Sequence, residues 1–185
     1  MGGVSRGATR CPGAAGAFVA VLRKLLVGVG VFAALIGLVV LTGYALPVEH
    51  VASRTATVAQ PGDRVFAALT DIDGYPQWRT DVNSVEVLST APPRRWRERG
   101  GNGDITFEVT EAQPPSRLVT RIADPDLPFG GTWTYDLAPE GTGTRLTITE
   151  HGEVYNPIFR FMSRFVFGHT ATMDQFLADL KKHLG

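Results

Sequence analysis

Residues 61–78 read PGDRVFAALTDIDGYPQW, and this stretch decides the fold. Pro61 and Gly62 stop whatever precedes them. Asp63 is placed to cap a short helix whose apolar side is Val65, Phe66 and Leu69. Gly74 and Pro76 break that helix, and a second short helical turn is expected to end at Trp78. Just upstream, His50 to Val58 (HVASRTATV) alternates in the manner of a strand.

Downstream, strand-like runs are separated by turn signals. Val82 to Ser89 (VNSVEVLS) comes first; Pro92-Pro93 turns into RRWRERG, and the glycines at 100–103 turn into DITFEVTEA. Pro114-Pro115-Ser116 leads to RLVTRIA, a loop over 124–130 leads to GTWTYDLAP, and Glu140-Gly-Thr-Gly143 leads to TRLTITEHGEV. Consecutive strands joined by short turns form an antiparallel meander. The last segment, NPIFRFMSRFVFGHTATMDQFLADLKKHL (156–184), is expected to be one long helix. Asn156 caps it, Pro157 takes its first position, and Ile158, Met162, Phe165, Met173, Phe176, Leu180 and Leu184 face the sheet. The fold class is therefore α+β. A twisted antiparallel sheet wrapped on a long helix leaves room between the two layers for a ligand.

This order of elements resembles the helix-grip fold of START-like proteins, and more narrowly the polyketide cyclase/dehydrase and lipid-transport group (SRPBCC). The residues that carry the resemblance are PGDRVFAALTDIDGYPQW, then GGTWTYDLAPEGTGTRLTITEHGEV, then the final helix; together they span roughly Val48 to Leu184. The resemblance implies a cavity for an apolar small molecule or lipid, and no cofactor. The superfamily includes carriers, cyclases and dehydratases, so the fold does not choose among them.

Working outward to the N-terminus, Leu25 to Leu46 (LLVGVGVFAALIGLVVLTGYAL) holds no charge. Its roughly 22 residues suffice to cross a bilayer as a helix. Arg23 and Lys24 precede it directly, which predicts a cytoplasmic N-terminus and an extracytoplasmic main domain at the cell membrane. A cleaved signal peptide is the competing reading, with Gly43 and Ala45 at suitable spacing, but the run exceeds the usual 7–15 residues. The chain then divides into a disordered cytoplasmic tail (1–24), a transmembrane helix (25–46) and a START-like ligand-cavity domain (47–185). The lone cysteine, Cys11, lies in the tail, so no internal disulfide forms, and palmitoylation is a minor option.

The 185 residues include 18 basic and 18 acidic side chains. Four of the bases and none of the acids lie in 1–46, which leaves 14 bases against 18 acids and a net of −4 beyond it. A mildly acidic domain is a poor partner for nucleic acid. The histidines (50, 151, 169, 183) form no metal-binding spacing, and there is no GxSxG elbow.

Chemistry is expected in the cavity. Strand alternation groups Trp133, Tyr135 and Leu137; Ile105, Phe107 and Val109; and Leu146, Ile148 and Glu150. If these faces turn inward, Glu150 enters an apolar space with a raised pKa and is the candidate acid or base. The alternative is a solvated or arginine-paired carboxylate at a strand end. Trp78, Trp96, Phe107, Trp133, Tyr135, Ile148, Phe161, Arg164 and Phe165 are the candidate ligand contacts. Binding or transport of an apolar small molecule or lipid ranks first. An acid/base cyclase or dehydratase comes second, and a protein-interaction module without ligand third.

Overall fold

The computed structural model describes residues 14–185 other than Asn102 and His169. Helix α1 (Ala14–Ala45) leads into strand β1 (Glu49–Val58). Helix α2 (Gly62–Thr70), a 3₁₀ turn (Ile72–Gly74) and the short α3 (Tyr75–Trp78) follow. Six strands come next: β2 (Val82–Ser89), β3 (Arg95–Gly100), β4 (Gly103–Gln113), β5 (Arg117–Ile122), β6 (Phe129–Glu140) and β7 (Gly143–Val154). The chain ends in α4 (Pro157–Met162), a π turn (Ser163–Phe167) and α5 (Ala171–Leu184).

The strands form one antiparallel sheet of order β1-β7-β6-β5-β4-β3-β2. Only the β1–β7 neighbours are not consecutive in the chain. The helical segment from α2 to α3 therefore carries the chain from one edge of the sheet to the other. The expected α+β helix-grip architecture is the one observed.

The core is built by two periodicities meeting. Helix α5 buries Met173, Phe176, Leu177 and Leu180, three or four residues apart. The strands offer alternate residues, among them Leu118, Tyr135, Leu137, Leu146 and Ile148. Helix α2 adds Val65, Phe66 and Leu69. Each such side chain contributes about 1.5–3 kcal/mol when fully buried.

Three local expectations are corrected. Asp63 lies inside the first turn of α2, and Pro61 occupies the cap position without a side-chain hydrogen bond. Helix α1 begins at Ala14, so residues 14–24 extend the apolar helix instead of belonging to the tail; Cys11 and the rest of 1–13 lie outside the described residues. The C-terminal helix is not continuous. Gly168 has φ +73°, a conformation that side chains with a Cβ disfavour, and it separates the π turn from α5. The expected stripe is therefore split. Met173, Phe176 and Leu180 pack in the core, whereas Ile158 and Phe165 are exposed.

Asn156 does cap α4, accepting hydrogen bonds from the Ile158 and Phe159 backbone N–H groups. Helix α4 packs on the last turns of α1. At Gly43 a Cβ would collide with the Pro157 backbone, so the two helices approach as closely as they do because that residue is glycine. Buried Arg160 fastens the junction. It donates to the Leu46 carbonyl at 2.9 Å and to the Tyr155 carbonyl at 3.2 Å, and its guanidinium lies 5.9 Å from the Tyr44 ring centroid.

Candidate ligand cavity

A cavity of about 480 Å³ lies between the sheet, α5 and the π turn. That volume falls within the ~300–1,000 Å³ typical of small-molecule sites. Its walls include Val82, Ile105, Phe107, Ile122, Trp133 and Phe176. Of these walls Val82, Ile105 and Phe176 are buried and Phe107, Ile122 and Trp133 half-buried, while Phe159 and Gly168 on the rim are exposed. Several rim groups (His50, Phe129, Gly130 and Glu153) sit where β1 and β6 begin and β7 ends. This is the end of the sheet that α1 enters.

Polar groups stand at two places in this apolar space. The first is a buried cluster around Arg79. Arg79 follows α3 in extended conformation, with its N–H bonded to the Tyr75 carbonyl at 2.8 Å. On β3, alternation turns both Trp96 and Glu98 inward, opposite Phe107 and Ile105 on β4. One guanidinium nitrogen of Arg79 donates to Glu98 Oε1 at 2.9 Å, and two others donate to the Asp81 carboxylate at 3.1 and 2.7 Å. Trp96 Nε1 donates to the same Glu98 oxygen at 2.9 Å. The guanidinium also lies 4.9 Å from the Tyr75 ring centroid and 5.4 Å from that of Phe176.

Burial disfavours the charge of Arg79, but Glu98 and Asp81 more than offset it and keep the group protonated. Burial raises the Glu98 carboxyl above its ordinary value despite the opposing pull of Arg79 and the Trp96 N–H. The hydroxyls of Tyr75 and Tyr135 are likewise pushed well up, chiefly by burial. Both therefore stay neutral hydrogen-bonding groups at physiological pH.

The second place is Glu150, opposite Trp133 on β6. It lines the cavity, its Oε1 is 3.8 Å from His50 Nε2, and its side chain is 22 % exposed. Burial raises its pKa, and a hydrogen bond with Trp133 opposes the shift. A carboxyl so placed can donate or accept a proton near the mouth. Arg79, by contrast, lies deeper, with its guanidinium held by the Glu98 and Asp81 carboxylates as one polar cluster in the cavity wall. Among the described residues no group of three or more His, Cys, Asp and Glu side chains could hold a metal ion.

The residues expected to contact ligand divide into two sets. Trp96, Phe107, Trp133 and Tyr135 line the cavity together with Glu150. The other five lie elsewhere. Trp78 is core, packed edge-on to Tyr75 and Phe176 and stacked 5.4 Å from His183. Ile148 is wholly buried beneath the sheet face. Phe161 and Phe165 pack on each other at 4.9 Å beyond the break in the helix, and Arg164 and Phe165 are exposed there.

Arg79, Asp81, Glu98 and His50 escaped the sequence reading. Glu98 had a legible signal, because it lies two residues from Trp96 and so shares its face. Arg79 had none, since its direction depends on how α3 ends.

The family model described as polyketide cyclase / dehydrase and lipid transport matches residues 49–185. No curated protein matches the chain in sequence. Several solved structures share the fold. A START superfamily protein from Mycobacterium smegmatis superposes with TM-score 0.61 at 18 % identity, covering 73 % of this chain and 97 % of that one. The norcoclaurine synthase of Thalictrum flavum gives 0.60 at 10 % identity, covering 74 % and 86 %. A di-domain aromatase/cyclase, StfQ of the steffimycin biosynthetic pathway, gives 0.61 at 15 % identity, covering 74 % of this chain; the chain spans about half, 51 %, of that protein. At these identities the likeness is one of fold.

Proposed function

Because the chain belongs to the polyketide cyclase/dehydrase and lipid-transport family, we propose that its cavity binds or carries an apolar small molecule or lipid while α1 holds the domain at a membrane. The observation that supports this reading is the composition of the cavity. Aromatic and aliphatic walls enclose about 480 Å³, with the Arg79–Glu98–Asp81 cluster, Tyr135 and Glu150 among its polar groups. Such a site suits a mainly apolar ligand with one or two polar ends.

Helix α1 supports the second half of the proposal. Its stretch Gly16–Ala45 is long and apolar enough to cross a membrane, and none of its most apolar part is buried against the domain. A water-exposed helix of this composition would be costly, whereas lipid accommodates it. Arg23 and Lys24 at its N-terminal side favour a cytoplasmic N-terminus and an extracytoplasmic domain.

Trp96 and Trp133 line the cavity and serve as built-in reporters. Titration of the full chain in nanodiscs with cis-parinaric acid is expected to quench their emission saturably, at about one probe per chain. Quenching that rises without saturation, as partition into surrounding lipid gives, would contradict binding.

Glu150 favours a second reading, an acid/base cyclase or dehydratase using the same cavity. Its carboxyl lines the cavity, and burial raises its pKa, the direction in which a carboxyl becomes a better proton donor. Under this reading Glu150→Gln abolishes turnover of a cyclisable polyketide while leaving binding intact. Unchanged turnover removes Glu150 from the chemistry.

A further inference from the structure

The segment Pro157–Phe167 exposes more apolar surface than its place in a folded domain explains. Ile158, Phe159, Phe165 and Val166 are 46, 51, 60 and 58 % exposed, and the basic Arg164 is exposed among them. Clustered exposed apolar side chains mark a contact surface. The segment contains the π turn and ends at the break at Gly168, which together release it from the core-facing stripe of α5.

Its position identifies the partner. α4 is seated on Gly43 of α1, and Arg160 bonds to the Leu46 carbonyl. Counted from Lys24, about 20 residues at ~1.5 Å each cover a hydrocarbon core of ~30 Å, which brings Gly43 and Tyr44 to the far interface. Tyr44 is exposed at that level, where aromatic side chains concentrate. Anything packed on Gly43 therefore sits at the depth of the lipid headgroups. A short amphipathic segment with Ile, Phe and Val on its free face and an arginine beside them suits that layer.

We infer that Pro157–Phe167 is a second membrane-contact site, an interfacial segment that inserts Ile158, Phe159, Phe165 and Val166 into the leaflet beside α1 and offers Arg164 to phospholipid phosphates. This rests on the reading of α1 as a membrane anchor. Phe159 and Ser163 belong both to this segment and to the cavity lining, and Gly168, the next residue after the segment, also lies on the rim. The contact therefore sets the cavity mouth against the bilayer, so that an apolar ligand exchanges with lipid instead of crossing water.

The test uses the full chain with Cys11→Ser, reconstituted in phosphatidylcholine vesicles with and without brominated acyl chains. Single cysteines carrying an NBD label are placed by Phe165→Cys and Val166→Cys, with Phe32→Cys in α1 and Lys181→Cys in α5 as references. The expected result is blue-shifted emission and bromolipid quenching at 165, 166 and 32, and neither at 181. Water-like emission at 165 and 166, or shielding there without bromolipid quenching, while 32 is quenched, overturns the interfacial site but leaves the anchor standing. Absence of quenching at 32 as well overturns the anchor and this inference together.

Discussion

At the scale of single residues, charge placement within the fold makes sharp demands. Arg79 holds Glu98 and Asp81 at once, with its side chain 11 % exposed. Removing it leaves a buried carboxylate without its cation, which typically costs about 3–5 kcal/mol. Arg79→Leu should lower urea stability by that order. The double variant Arg79→Leu/Glu98→Leu should recover part of the loss, because it removes the buried carboxylate, while Asp81 and the buried Trp96 N–H still lack their partners. A double variant as unstable as the single would show that the pair is not the source.

Asp179 gives a pH-dependent counterpart. Burial opposes its charge, but hydrogen bonds from the Thr80 N–H at 2.8 Å, the Thr80 hydroxyl at 2.7 Å and Gln175 outweigh burial and lower its pKa. A lowered carboxylate stabilises the fold above its ordinary pKa, and this contribution is lost as pH falls through the lowered value. Glu150 has the opposite sign. Its raised pKa favours the fold at acid pH, and that contribution is lost as pH rises through the raised value. Stability curves of Asp179→Asn should therefore flatten on the acid side, and those of Glu150→Gln should hold level as pH rises. If Asp179→Asn leaves acid unfolding unchanged, the Thr80 contact does not act as described.

At the scale of elements, Gly168 and Gly43 decide how the C-terminal segment lies. Gly168 has φ +73°, and nothing stands near its would-be Cβ. The strain of Gly168→Ala is therefore conformational and should cost about 1–3 kcal/mol. At Gly43 the obstacle is steric, so Gly43→Leu should push α4 off α1. Bromolipid quenching at position 165 should then fall while that at position 32 persists. Quenching at 165 unaffected by Gly43→Leu would mean that α4 does not depend on α1 for its position.

What the sequence revealed about these elements follows from how local each signal is. The helix–turn stretch 61–78 and the turn-punctuated strands were legible because prolines, glycines and period-two alternation act within a few residues. The C-terminal break was not. Its apolar residues keep helical spacing across Gly168, so periodicity alone runs straight through. The different environments of the two halves, core for α5 and α1 for α4, are set by tertiary contacts. The same holds for the cavity. Alternation located Trp96, Phe107, Trp133, Tyr135 and Glu150 on inward faces. It also counted Ile148 as a wall residue, although Ile148 is sealed in the core. Which inward residue borders empty space depends on the curvature of the whole sheet.

At the scale of the whole molecule, one sheet separates two tasks. The inner parts of α2, α3 and α5 close the core. The opposite end of the sheet receives α1, carries the cavity rim and presents α4. The proposed function needs both, a space that water fills poorly and a position beside lipid. The central claim is that this space takes an apolar guest, and native mass spectrometry of the full chain released from nanodiscs tests it directly. The wild type should retain one apolar small molecule or lipid per chain. Ile122→Trp, which places a bulky indole where an aliphatic side chain lines the cavity, should lose that mass while keeping the circular dichroism of the folded protein. A wild type that emerges empty, or a filled-cavity variant that keeps the same mass, would contradict the account.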